Sequence, residues 1–194
     1  AKVPNPERNN ELMKKYGVPG FPTILLMTAE GEVYAKTGYQ QGGAANYVKH
    51  LAEIAEAGKK SIVAAKEIAK AYEEAADDAK AAAIEKAIEA FAAEKPGTPA
   101  GMILTPIVKA GMELDPKNES GLKLKAAEAL MNGGNGDDDV IAACIELDTK
   151  NEKGLLEHAI LSKFMKTRPD PNNQEPLKKL LAEVEDLAKL GVIK

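Results

Sequence analysis

Short unbroken apolar runs stand near the N-terminus, and longer amphipathic stretches fill the rest of the chain. Thr23-Ile24-Leu25-Leu26-Met27 is apolar without alternation, the pattern of a strand covered on both faces rather than a half-exposed one. Thr28-Ala29-Glu30-Gly31-Glu32 predicts a turn and Val33-Tyr34-Ala35-Lys36-Thr37 a second strand, at a spacing that suits a β-hairpin. Upstream, Glu11-Leu12-Met13-Lys14-Lys15-Tyr16 reads as the end of a helix. Lys residues occupy its last turn, Gly17 supplies the left-handed residue that closes it, and Pro19 and Pro22 forbid continuation. Downstream, Gln40-Gln41-Gly42-Gly43 breaks the chain before a helix whose apolar face is Tyr47, Leu51, Ile54 and Ala55.

From Ala57 onward only helical spacing recurs. Ile62, Ala65, Ile68, Ala69 and Tyr72 form one stripe and Ile84, Ala87, Ile88 and Phe91 the next, closed by Glu94-Lys95-Pro96-Gly97. Ile103, Ile107, Ala110 and Leu114 mark a further helix. Leu177, Leu180, Leu181, Val184 and Leu187 mark the last, with Pro176 in its first turn and Gly191 past its end. Between these lies an internal repeat: the stretch from Glu113 to Leu122 (Glu-Leu-Asp-Pro-Lys-Asn-Glu-Ser-Gly-Leu) returns from Glu146 to Leu155 (Glu-Leu-Asp-Thr-Lys-Asn-Glu-Lys-Gly-Leu), an offset of 146 − 113 = 33. That period, with a polar turn between two helices, resembles the tetratricopeptide repeat, whose units are about 34 residues long. Two copies are clear, and the large aromatics of such units are mostly missing.

Composition agrees with helix. The chain of 194 residues is rich in Ala, Leu, Lys and Glu and holds five Tyr, three Phe and no Trp. A net charge of −4 leaves no basic field for a phosphate backbone, which argues against nucleic acid as a partner. No apolar run is long enough to cross a bilayer, and Ala1-Lys2-Val3-Pro4 has no hydrophobic signal core, so no membrane partner is expected. A mature exported protein trimmed of its signal reads the same way, and compartment is left open. The single cysteine, Cys144, excludes an intrachain disulfide and a Cys-cluster zinc site.

A second resemblance rests on Tyr16-Gly17-Val18-Pro19-Gly20-Phe21-Pro22-Thr23-Ile24-Leu25-Leu26, then Glu30-Gly31-Glu32-Val33, Gly38-Tyr39 and Tyr47-Val48. The run is similar to the C-terminal half of the thioredoxin and protein disulfide isomerase fold. The resemblance implies a cis Phe21-Pro22 bond and a substrate-binding edge at Gly20, Phe21 and Pro22, where backbone groups meet an extended peptide. Pro22 at a strand start is also allowed without a cis bond. The chemistry of that family needs a low-pKa thiolate, normally in Cys-x-x-Cys ahead of the proline loop, and nothing upstream of Tyr16 contains a Cys. No catalytic residue is therefore assigned. The expectation is a truncated or cleaved thiol-disulfide oxidoreductase, inactive as it stands, with a strand that lacks cover and an edge that invites homodimerisation by strand addition.

Other candidate residues read as structural. Cys144 lies in the apolar run Val140-Ile141-Ala142-Ala143-Cys144-Ile145, as an inert buried thiol would. His50 and His158 stand alone on different helices, without ligand-spaced partners. Asn132-Gly133-Gly134-Asn135-Gly136-Asp137-Asp138-Asp139 is rich in oxygen ligands but lacks the spacing of a calcium loop. Helix termination at Gly133 or Gly134 and capping by Asp137 to Asp139 explain it better. No metal or cofactor is expected. The predicted architecture is α+β and mostly α, with a partial thioredoxin-like unit over residues 1–56 and a tetratricopeptide-like helical array over 57–194. Its partners are proteins or peptides. The alternative function is a non-catalytic peptide-binding or protein-binding scaffold.

Overall fold

The computed structural model describes residues 5–18, 20–167 and 173–193. Pro19 and the segment from Ala1 to Pro4, both read above from sequence, lie outside the described residues. The architecture is α+β and mostly helical. It divides into two compact units, residues 1–62 and 63–194.

The first unit begins with α1 (Pro6–Lys15), which carries Glu7 in its first turn and Lys14 and Lys15 in its last, as the helix dipole favours. Gly17, at φ +55°, closes it: the Val18 amide donates to Met13 O at 2.9 Å and the Gly17 amide to Lys14 O at 3.3 Å, a Schellman pairing. Strands β1 (Ile24–Met27) and β2 (Val33–Thr37) follow as an antiparallel hairpin. Ile24 stands opposite Thr37, Leu25 opposite Lys36 and Leu26 opposite Ala35; after an irregularity, Met27 stands opposite Val33. Gly31, at φ +84°, turns the connection, and the Thr28 amide closes it on Glu32 O.

Strand β1 has the pattern of a strand covered on both faces and lacks that cover among the described residues. Its residues are half-buried or exposed, because β2 is its one partner strand among the described residues and the sheet stops there. An unbroken apolar run reports the residues' preference for burial, and the burial itself requires neighbours.

Helix α2 (Gly43–Glu74) is continuous. The division between the two units falls inside it, at Ile62 and Val63. Gly58 marks the close approach of α2 to the hairpin. A Cβ there would overlap the Tyr34 carbonyl oxygen and stand 3.1 Å from Ala35 Cβ, so α2 is still pressed onto β2 beyond residue 56. Lys59 Nζ lies 5.1 Å from the centre of the Tyr34 ring. Tyr47, Leu51, Ile54 and Ala55 form the half-buried stripe of the helix, as their spacing predicts.

The second unit holds the end of α2 and the helices α3 (Lys80–Ala93), α4 (Pro99–Leu114), α5 (Leu122–Asn132), α6 (Asp138–Leu147), α7 (Leu155–Lys166) and α8 (Glu175–Lys189). From α3 to α8 each helix packs against the next. Ile84, Leu104, Val108, Leu130, Val140, Cys144 and Leu155 form the fully buried core. A smaller cluster of Leu156, Ile160 and Ile193, with Val184 and Leu187 against it, secures α8. The stripe of α4 is rotated from its predicted face: Ala100, Leu104, Ile107, Val108 and Gly111 are buried, Ile103 and Ala110 are half-buried and Leu114 is exposed. Contact with both α3 and α5 widens the buried surface beyond a single stripe.

The 33-residue repeat is a repeated piece of structure. Asp115 follows α4 and Asp148 follows α6, both nearly inaccessible. Asp115 accepts from the amides of Glu119, Ser120 and Leu122, and from the Ser120 hydroxyl. Asp148 accepts from the amides of Lys153 and Leu155. Asn118 and Asn151 both sit at φ 57°, and each side-chain oxygen takes an amide of the following helix, Leu124 at 2.9 Å and Glu157 at 3.1 Å. One turn chemistry thus reverses the chain twice, satisfying amides that a helix start leaves orphaned.

Candidate functional site

The predicted substrate edge lies in the first unit, between the closed end of α1 and the start of β1. The Phe21-Pro22 peptide bond is cis. Thr23 Oγ1 donates to Gly20 O at 2.6 Å and so ties the two ends of the loop together. Gly38, just past β2, approaches the Pro22 carbonyl closely enough that a Cβ would lie 3.0 Å from its oxygen. Phe21 is left 78% exposed, and no described residue hydrogen-bonds its backbone.

The two faces of the hairpin differ. Leu26 and Ala35 share the face that meets α2, and so do Ile24 and Thr37; on it Thr37 Oγ1 and His50 Nε2 share a hydrogen bond of 2.8 Å. His50 is therefore a packing residue, paired with the sheet. On the opposite face Thr23, Leu25 and Met27 look into an open concavity of ≈ 770 Å³. Its far wall is α1, through Leu12, Met13 and Tyr16, and Phe21 stands at its rim. None of the described residues lining it is charged.

Of Gly20, Phe21 and Pro22, it is Phe21 that lines this concavity. Sequence reading missed the contribution of α1. The available signal was Leu12, Met13 and Tyr16, apolar positions three and four apart on a helix that buries none of its residues. Such an arrangement can hold an apolar, extended ligand that pairs with the Phe21 backbone groups, which no described residue engages. None of the described residues lining the concavity is a cysteine.

The chain's one thiol is elsewhere. Cys144 is inaccessible in α6, its Sγ 3.8 Å from Ala127 O. Burial, with the negative charges of Asp148 and Glu128, pushes its pKa up to about 11, the reverse of what an attacking thiolate needs. In the polar loop, Asp137 caps α6 by accepting from the Val140 amide at 3.1 Å and pairs with Lys109; Gly133 and Gly134 close α5.

Helix, proline loop, hairpin and backing helix follow one another in the order that the thioredoxin resemblance implies. Among curated proteins, the chain is similar to the disulfide bond reductase DsbH of Chlamydia pneumoniae, 43% identical over 45 residues, which are 23% of this chain and 27% of that protein. The chain thus spans about a quarter of the relative it matches, and the relationship is a partial, thioredoxin-like one. No protein-family model and no solved structure matches.

Proposed function

We propose that the first unit is the peptide-contacting part of a thioredoxin-like thiol-disulfide oxidoreductase, with Gly20, Phe21 and Pro22 as its substrate edge. The helical unit, read as a tetratricopeptide-like array, positions a protein or peptide partner. The observation that carries this reading is the apolar concavity on β1, rimmed by an exposed Phe21 whose backbone no described residue engages. Its support from known proteins is the partial similarity to a disulfide reductase. An extended peptide would pair with the loop backbone and seat an apolar side chain against Leu25 and Met27.

Residues 1–194 carry out no thiol-disulfide exchange in this reading, since their single thiol is buried and its pKa raised. The same fact favours the second reading, a non-catalytic scaffold that binds peptides without redox chemistry. The edge of β1, unpaired among the described residues, also offers a place for a second copy to add a strand.

Titration of the isotope-labelled chain with an extended apolar peptide tests the site. The amides of Gly20, Phe21, Thr23 and Leu25 should shift together, and Phe21→Ala should weaken binding without unfolding the chain. Shifts confined to other residues would remove the substrate edge. The oxidoreductase and scaffold readings separate on the parent reading frame: a Cys-x-x-Cys upstream of Pro22 supports the first, and its absence leaves the second.

A further inference from the structure

Two grooves of similar size run along the helical unit. One, ≈ 340 Å³, lies between α3 and α5, where Lys125 pairs with Glu85, Glu128 with Lys153, and Glu94 accepts from the Thr98 hydroxyl. The other, ≈ 330 Å³, lies between α4 and α6 over an apolar floor of Met112, Val140 and Ala143. Two lysines reach it. Lys109 is neutralised by Asp137, and Lys123 by Glu146 at 2.8 Å.

Two carboxylates in that second groove are left over. Glu113 and Asp139 both line it, both are exposed, and neither has an ion-pair partner among the described residues. The contrast inside the repeat is direct: Glu146 is held by Lys123, whereas Glu113, its counterpart 33 residues earlier, faces the groove without an ion-pair partner among the described residues. The groove therefore presents an apolar floor under a net negative rim.

We infer that the α4/α6 groove docks an extended peptide in which a lysine or arginine stands next to an apolar side chain. The apolar group lies on Met112 and Val140, and the cation sits by Glu113 and Asp139. Charge complementarity selects this occupant. An acidic segment would meet two unpaired carboxylates and would have to displace Asp137 or Glu146 to reach either lysine, a like-charge juxtaposition that interfaces avoid. The inference rests on the reading of the helical unit as partner-binding and supplies the chemistry of the partner.

The test uses the full chain and three fluorescein-labelled hexapeptides, identical except for a central lysine-leucine, glutamate-leucine or alanine-leucine pair. Fluorescence anisotropy measures affinity, and amide shifts of Met112, Glu113, Asp139 and Val140 locate the site. The lysine peptide should bind most tightly. Glu113→Gln with Asp139→Asn should weaken it about fivefold, an effect that shrinks with added salt. Asp138→Asn, outside the groove, should leave it unchanged. If the glutamate or alanine peptide binds the groove as well as the lysine peptide, the inferred chemistry is wrong while partner binding survives. If no peptide shifts an amide of the helical unit, both fail.

Discussion

The carboxylate of Asp148 accepts a hydrogen bond from the amide of Leu155, 2.9 Å away, across the turn between α6 and α7. Both ends of that bond are buried, so water cannot replace it. Asp148→Ala should lower the unfolding free energy by about 2 kcal/mol, the usual cost of orphaning a buried amide that a charged acceptor had satisfied. Urea denaturation checks this, and an unchanged midpoint would show that the turn is held by Asn151 alone.

Acid should loosen the helical unit through two carboxyls. Burial raises the pKa of Asp115, but hydrogen bonds from the Ser120 side chain and the amides of Glu119, Leu122 and Ser120 outweigh it and hold the group below its ordinary 3.8. Burial also raises that of Asp137, which Lys109, the Val140 amide and the charge of Lys166 bring below 3.8. A depressed folded pKa gives stability that is present above the ordinary value and lost as pH falls through the folded one. Stability of the wild-type chain should hold from neutrality to about pH 4 and then fall, and Asp115→Asn should flatten that acid limb. Urea midpoints measured across the acid range decide it; parallel curves for the two proteins would count against Asp115.

Cys144 should resist modification in the native chain. Its thiol is inaccessible and its pKa is about 11, so a thiol-specific reagent at pH 8 should label it only after denaturation. Insulin-disulfide reduction should stay at background. Turnover that persists in Cys144→Ser would show chemistry that does not come from the chain's one thiol.

Gly58→Ala tests how α2 meets the hairpin. The added Cβ would overlap the Tyr34 carbonyl oxygen, and backbone cannot swing aside as a side-chain tip can. The strain should cost about 1–3 kcal/mol and speed amide exchange in β2 while leaving α5 and α6 unaffected.

Tyr47→Phe should have the opposite sign. The Tyr47 hydroxyl is buried without a hydrogen-bond partner among the described residues, so its removal relieves an unmet desolvation cost. A gain of up to about 1 kcal/mol is expected by thermal unfolding. A loss of that size would mean that the hydroxyl is satisfied in solution.

Local pattern was enough for much of this protein. Hairpin strands, the Gly17 closure of α1, the Asp137 cap and the two repeat turns depend on neighbours close in sequence, so residue type and spacing reveal them. The cis Phe21-Pro22 bond was legible as a resemblance. The concavity beside it was not, because it arises where Leu12 and Met13 of α1 face Leu25 and Met27 of β1, and no periodicity records which helix stands across from a strand.

The same limit explains the rest. The apolar run of β1 expresses a preference for burial that one partner strand only partly meets, and the stripe of α4 turns because two helices flank it. The repeat places Glu113 and Glu146 at equivalent positions, and both face one groove; the reach of Lys123 to Glu146, 23 residues apart in sequence, decides which of them is ion-paired. Short-range stereochemistry is written residue by residue along the chain. Cover, groove and charge compensation are sums over distant segments, and they exist only once the helices have packed.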